Sequence, residues 1–361
     1  MMYNIKYTGN LSWLVPNTIL YVRHGSHAYG LATPESDEDF KGVAIPPVEY
    51  YLGFVNRFDQ AEIKSDNQDS VIYNIQKFFK LAADCNPNII EVLWVNEEDQ
   101  LIVTDAGRTI LDHREKFLSK KALYTFSRYA MSQLKRIKRH RKWLLEPPTH
   151  APTRQEFGLP EKPMMARNQI DTALSFISKQ VDSWEMNLQD FTPAQRQFIM
   201  DLFEKILTQM SIGQNEKWKA AAGLMGFETN FLEVLEKEKQ YKSARDNWKS
   251  FQNWKKNRNP TRAAMEAKSG YDAKHAQHLV RLYSMGEEIL STGQVIVKRP
   301  DRAELLAVRN GQWTYEELLE WTVAKEQKLR EIAQTSSLPR QPDRDFLDSV
   351  CRRVIVDYHR R

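Results

Sequence analysis

The chain has 361 residues, 41% of them hydrophobic, and a formal net charge of +5. That is enough for two domains with real cores, and no apolar run approaches the ~18 residues of a membrane span. Two cysteines, Cys85 and Cys351, rule out a disulfide framework and have no metal-ligand spacing. The opening "MMYNIKYTGN" lacks the basic start and apolar stretch of a signal peptide, so a reduced, cytoplasmic protein is expected. The charge is uneven. Up to residue 110 there are 8 Lys+Arg against 15 Asp+Glu; the remainder has 44 against 32. An acidic first part followed by a basic one suits a metal-holding module beside a platform for something anionic.

In chain order, "TILYVRHGS" (18–26) reads as a β-rich segment running into a turn, and "DFKGVAIPP" (39–47) as a strand stopped by two prolines. Between them, "HGSHAYGLATPESDEDFKGV" (24–43) sets a glycine turn ahead of Asp37 and Asp39. On a strand these two aspartates share a face. Like charges that close require a proton or a cation between them, and a divalent metal ion is the natural candidate. Gly25 lets the backbone approach a ligand closely, and Ser26 adds a hydroxyl at the same place. If a helix begins there, its free N–H groups make an anion site.

"SVIYNIQKFFKLAAD" (70–84) is expected to be a helix with Ile72, Ile75, Phe79 and Ala82 on one face. "NPNIIEVLWVN" (86–96) is a short helix or a strand. From about residue 115 the pattern is helical. "KALYTFSRYAMSQLKRIKRHRKWLLE" is a long helix closed by Pro147 and Pro148, and 147–163 is a loop. Further helices are expected near 164–187, 192–211, 216–222, 228–240, 271–291, 301–309 and 314–335, with a last short one after "SSLPRQPDRD".

Gly25, Ser26, Gly30, Ser36, Asp37 and Asp39 together resemble the signature of the DNA polymerase β nucleotidyltransferase superfamily. The fuller string "GSHAYGLATPESDEDFKGV" resembles the RNA-ligase-associated, RlaP-type branch. "DSVIYNIQKFFKLAADCNPNIIEVLW", "GYDAKHAQHLVRLYSMGEEILSTG", "KRPDRAELLAVRNGQWTYEEL" and "SSLPRQPD" look like its later blocks. The resemblance covers most of residues 20–345 and is weakest over about 145–265. It implies an α+β fold: a polymerase-β-type palm, a small mixed sheet with flanking helices, over 1–112, then a mainly helical, basic substrate-binding domain over 113–361. It implies Asp37 and Asp39 as ligands of Mg²⁺ or Mn²⁺, and Gly25, Ser26 and Ser36 against the phosphates of an NTP. The third carboxylate that such enzymes use is assigned to Asp69, with Asp66 and Glu62 as rivals; the alternative for Asp69 is the N-cap of the helix after it. The implied reaction moves a nucleoside monophosphate from an NTP to an acceptor hydroxyl, such as an RNA 3′ end, with an RNA ligase as partner. Modification of a small molecule or a protein side chain, and RNA binding without catalysis, are the rival functions.

Three basic stretches complete the reading. Seven of the eight residues 135–142 are Lys, Arg or His, and Lys135, Arg136, Lys138, Arg139, Arg141 and Lys142 are candidate RNA contacts. In "YKSARDNWKSFQNWKKNRNP" (241–260), Trp248, Phe251 and Trp254 alternate with cations; they stack bases or, at helical spacing, form core. Lys274, His278 and Arg281 share one helical face and are expected to touch nucleotide phosphates. His275 and His278 lie one turn apart, but no Cys or third His stands at ligand spacing, so they are not read as a metal site. Arg299, Arg302 and Arg309 are either a second set of substrate contacts or members of ion pairs.

Overall fold

The computed structural model describes residues 5–34, 36–65, 68–163, 167–184, 229–258 and 260–360. Two compact units result. One combines Met1–Leu145 with Asn259–Arg361, and the other is Glu146–Arg258.

The first unit is built on a five-stranded mixed sheet. Its strands are β1 (Thr18–His24), β2 (Glu38–Ala44), β3 (Gln60–Ser65), β4 (Gln68–Asn74) and β5 (Gln100–Val103), in the order β3-β4-β2-β1-β5. β2 and β4 are parallel; the other neighbours are antiparallel. Period-two alternation sorts the side chains. Leu20, Val22 and Val43 join the main core, which runs on into the helices, whereas Tyr21, Phe40 and Ile72 form a smaller cluster on the other face. Tyr21 and Phe40 stack there at 5.5 Å. Asp39, one residue before Phe40, is therefore turned towards the helical side.

The helices in this half are α1 (Gly25–Ala28), α2 (Glu49–Leu52), α3 (Ile75–Ala83), α4 (Pro87–Ile90), α5 (Asp105–Asp112) and α6 (Lys121–Leu145). One expectation is corrected. Residues 68–74 are strand, and α3 starts only at Ile75, capped by Asn74 accepting from the Gln76 N–H. "SVIYN" alternates β-branched and aromatic residues, and pairing with β2 and β3 on either side outweighs the helical spacing. Asp69 is thus a strand residue and not an N-cap.

After the second unit, the chain returns through helices Pro260–Ser269, Ala273–Thr292, Arg302–Arg309, Tyr315–Thr335 and Arg344–His359. Ala273–Thr292 packs along α6, with Ala276, Leu279, Tyr283 and Gly286 buried. The last helix has 16 residues, longer than expected. The architecture is α+β: a small mixed sheet with flanking helices, then a mainly helical remainder.

In the second unit, helices Arg167–Trp184 and Thr229–Lys256 pack together. Arg154 forks onto the buried Glu238 carboxylate, and Lys242 pairs with Asp171 at 2.5 Å. Phe251 is buried, beside Trp248 and Trp254 at about 6 Å, and Arg258 lies over Trp254. The helices expected over 192–211 and 216–222 lie outside the described residues.

Candidate active site

β1 ends at His24 and the chain turns at once into α1. Gly25 has φ +66°, and a Cβ on it would collide with the Asp39 carboxylate. Glycine is therefore required twice, by conformation and by space. It brings bare backbone into contact with the first carboxylate of the sheet. The first-turn N–H groups of α1 have no acceptor within the helix. The Ser26 carbonyl accepts from Leu31 N–H at 2.8 Å, which closes the loop.

Asp39 is in register with His24 of β1 on one side and Asp69 of β4 on the other. Asp37 lies two residues upstream, just ahead of β2, so the strand face expected for both aspartates carries Asp39 alone. Ser36 steadies the entry: its Oγ accepts from Thr33 N–H at 2.9 Å. Burial pushes the Asp39 carboxyl above its ordinary range; Lys274 and Lys41 pull it back, while Asp69 and Asp37 push it up again. Asp37 and Asp69 are exposed. Glu62 sits on the neighbouring β3, and Asp66 lies outside the described residues.

Gly25, Ser26, Ser36, Asp37, Asp39 and Asp69 form one wall of a cleft of about 820 Å³, a size that accommodates a nucleotide. The facing wall carries Lys274, His278 and Arg281 from helix Ala273–Thr292 and Arg136 from α6. His278 is pushed down to about 3 by burial and by the neighbouring Arg281 and Lys274, so it stands neutral at pH 7. Of the α6 cations, Arg136 alone lines the cleft. Lys135, Lys138, Arg139 and Lys142 are exposed, and Arg141 donates to the Gly270 carbonyl at 2.9 Å and stacks on Tyr315. Arg299 is buried between Glu288 and Asp301, the ion-pair reading. Arg302 and Arg309 donate to the carbonyls of Gly30 and Leu31, fastening the loop after the glycine turn.

Beneath the turn lies a set that sequence reasoning missed. Glu91 is fully buried. It faces Arg281 Nη1 at 2.5 Å and His24 Nε2 at 3.1 Å, and accepts from the Tyr29 hydroxyl. The Arg281 guanidinium lies 3.9 Å from the Tyr29 ring centre. Burial alone would raise the Glu91 pKa, but Arg281, His24 and Tyr29 hold it far below the carboxylate range. His24 is lowered to about 4, first by burial and then by Lys41. Lys41, on the strand face of Asp39, donates to the Asn88 carbonyl at 2.7 Å; burial lowers it to about 8. The Arg281 charge is thus matched inside the fold, and it joins the helical wall to the sheet. A lone acid inside the apolar run "IIEVLW" was the available signal, since such a group is buried only when paired.

Asp37, Asp39 and Asp69 offer oxygen donors only, the set that Mg²⁺ or Mn²⁺ takes. The Asp39 pKa is raised first by burial and further by Asp69 and Asp37, and a bound cation would stabilise the ionised form. Among the described residues, the trio with all ligand atoms within 4.8 Å of one another is a different one: His140, Asp272 and His275. The aspartates stand further apart, as unscreened like charges do.

Residues 10–149 match the RlaP family. The family is described as an RNA repair pathway DNA polymerase beta family. The RlaP match contains the glycine turn, the aspartates and Glu91, and it runs through α6. Over 359 residues the chain is also 24% identical to an uncharacterized 38.9 kDa protein in the nrdC–mobD intergenic region of Enterobacteria phage T4. That alignment takes in 95% of this chain and 98% of that protein. No solved structure matches the chain. No helix among the described residues is long and apolar enough to cross a membrane.

Proposed function

We propose that the protein is a metal-dependent nucleotidyltransferase that moves a nucleoside monophosphate from an NTP to an acceptor hydroxyl, and that the acceptor is an RNA 3′ end. The observation that carries this reading is the packing of the Gly25 backbone against the Asp39 carboxylate. It puts a cradle for phosphate beside a row of oxygen ligands, the two parts that phosphoryl transfer needs. The RlaP match over the same residues supports the choice of RNA.

In this reading residues 1–112 are the palm, and 113–361 supply the opposing wall and the RNA platform. Asp37, Asp39 and Asp69 would hold Mg²⁺ or Mn²⁺, which lowers the pKa of the attacking hydroxyl and offsets charge on the triphosphate. The backbone of Gly25 and Ser26 holds the outer phosphates. Lys274 and Arg136 face them across the cleft, and neutral His278 donates a hydrogen bond rather than a charge. Asp69, exposed on β4 beside Asp39, accepts the proton of the incoming hydroxyl. Arg281 acts through Glu91 by fixing the turn. The exposed cations of α6 hold the RNA backbone outside the cleft, and an RNA ligase would seal what this enzyme extends.

The test is incorporation of label from each α-³²P NTP into small RNAs with Mg²⁺ or Mn²⁺, beside an Asp37→Asn/Asp39→Asn variant. Label on RNA with the wild type alone is the expected result. Label on the protein itself or on a small molecule would move the acceptor assignment. RNA binding that needs neither metal nor the aspartates, without turnover, would make the chain a non-catalytic binder.

A further inference from the structure

His140 sits on α6, and Asp272 and His275 open helix Ala273–Thr292, so the trio is assembled across 132 residues of sequence. His140 Nδ1 lies 3.1 Å from Asp272 Oδ2, and His275 Nε2 lies 3.5 Å from the same oxygen. Bonds of about 2.0–2.1 Å to a tetrahedral ion place its ligand atoms roughly 3.3–3.4 Å apart. The two spacings to Asp272 match that geometry, and all three ligand atoms lie within 4.8 Å of one another.

The remaining polar atoms of Asp272 and His275 are held as ligands require. Asp272 Oδ1 accepts from the His275 backbone N–H at 3.1 Å, capping the helix. His275 Nδ1 lies 2.8 Å from Gln133 Oε1. An amide oxygen only accepts, so Nδ1 carries the hydrogen, and in the neutral ring Nε2 turns its lone pair towards the Asp272 carboxylate. Those two acceptors are reconciled by a proton or by a metal ion between them.

We propose that His140, Asp272 and His275 bind a divalent ion of the zinc class, with Gln133 orienting the His275 ring. Two imidazoles and one carboxylate favour zinc over magnesium, which separates this site from the all-oxygen aspartate row. Three protein ligands leave one position free. Asp272, His275 and Gln133 line the cleft, so that position opens onto it and takes water or a phosphate oxygen. The site stands whether or not the chain transfers nucleotides.

The experiment uses the full chain, stripped with a chelator and then titrated with Zn²⁺ or Co²⁺. Elemental analysis after gel filtration gives the stoichiometry, and cobalt absorption gives the geometry. One equivalent and a tetrahedral cobalt spectrum are expected. Both are lost in His140→Ala and His275→Ala and kept in Asp37→Asn/Asp39→Asn. Gln133→Leu weakens zinc binding roughly 10–100-fold. His275→Cys retains the metal and adds a sulfur-to-cobalt charge-transfer band, which decides the matter should the alanine variants fail to fold. Wild type that retains no zinc, zinc that persists in both alanine variants, or a cobalt complex of His275→Cys without the thiolate band would each overturn the site.

Discussion

Glu91 and Asp39 lie within one fold, on either side of the glycine turn, and meet opposite electrostatics. Glu91 is surrounded by an arginine, a histidine and a phenol, and its pKa is driven down. Asp39 is half-buried, and that burial, with a smaller push from Asp69 and Asp37 and against the pull of Lys274, drives its pKa up. The first arrangement lowers the free energy of the folded chain by matching every charge it buries. The second raises it, by leaving negative charge concentrated where a ligand can enter. Matched charge marks the scaffold, and mismatched charge marks the site.

The largest expected effect tests the mismatched side. Asp37→Asn/Asp39→Asn should cut nucleotide transfer roughly 10³-fold or more, while thermal melting at pH 7 shows a Tm no lower than wild type. A clear fall in Tm would mean that these aspartates are structural. Glu91→Gln should do the reverse. It leaves Arg281 buried and unpaired and should cost about 3–5 kcal/mol in chemical denaturation. Gly25→Ala touches both regions. Its left-handed backbone costs ~1–3 kcal/mol, and its methyl displaces the Asp39 carboxylate, so activity should fall further than stability predicts.

Acid should separate the two regions by sign. His24 has a folded pKa of about 4 against its ordinary 6.5, so the folded state binds fewer protons than the unfolded one. Stability is then lost as pH falls from 6.5 towards 4, and Glu91 adds to the loss below its ordinary 4.5. Asp39 behaves oppositely. Its folded pKa is raised, so its cost is relieved as pH falls. Scanning calorimetry should show wild type and Asp39→Asn both losing Tm on acidification, with the advantage of the variant shrinking. The smallest effects belong to the exposed cations. Replacing Lys135, Lys138, Arg139 or Lys142 singly by Ala should weaken RNA binding a few-fold and flatten its salt slope by about one.

The mismatched side was largely legible in the sequence, because its signals are local. Gly25 and Asp39 are fourteen positions apart, and Asp37 falls just ahead of the strand that carries Asp39. Asp69 was harder. "SVIYNI" satisfies helix and strand periodicity alike, and only pairing with β2 decides between them. The matched side was not legible. Glu91 shows itself as an acid in an apolar run, but its partner lies 190 residues away. His140 and His275 were passed over for a similar reason. His275 has Asp272 three residues before it, but His140 reaches that pair only across the packing of two helices.

The chain leaves its first compact unit at Leu145 and rejoins it at Asn259. During synthesis, the sheet, the glycine turn and all three aspartates emerge well before the helix that completes the cleft. Until Arg281 clears the ribosome, Glu91 has no guanidinium to face and the turn above it has no brace. The nascent chain therefore carries the residues of one wall of the cleft before those of the other.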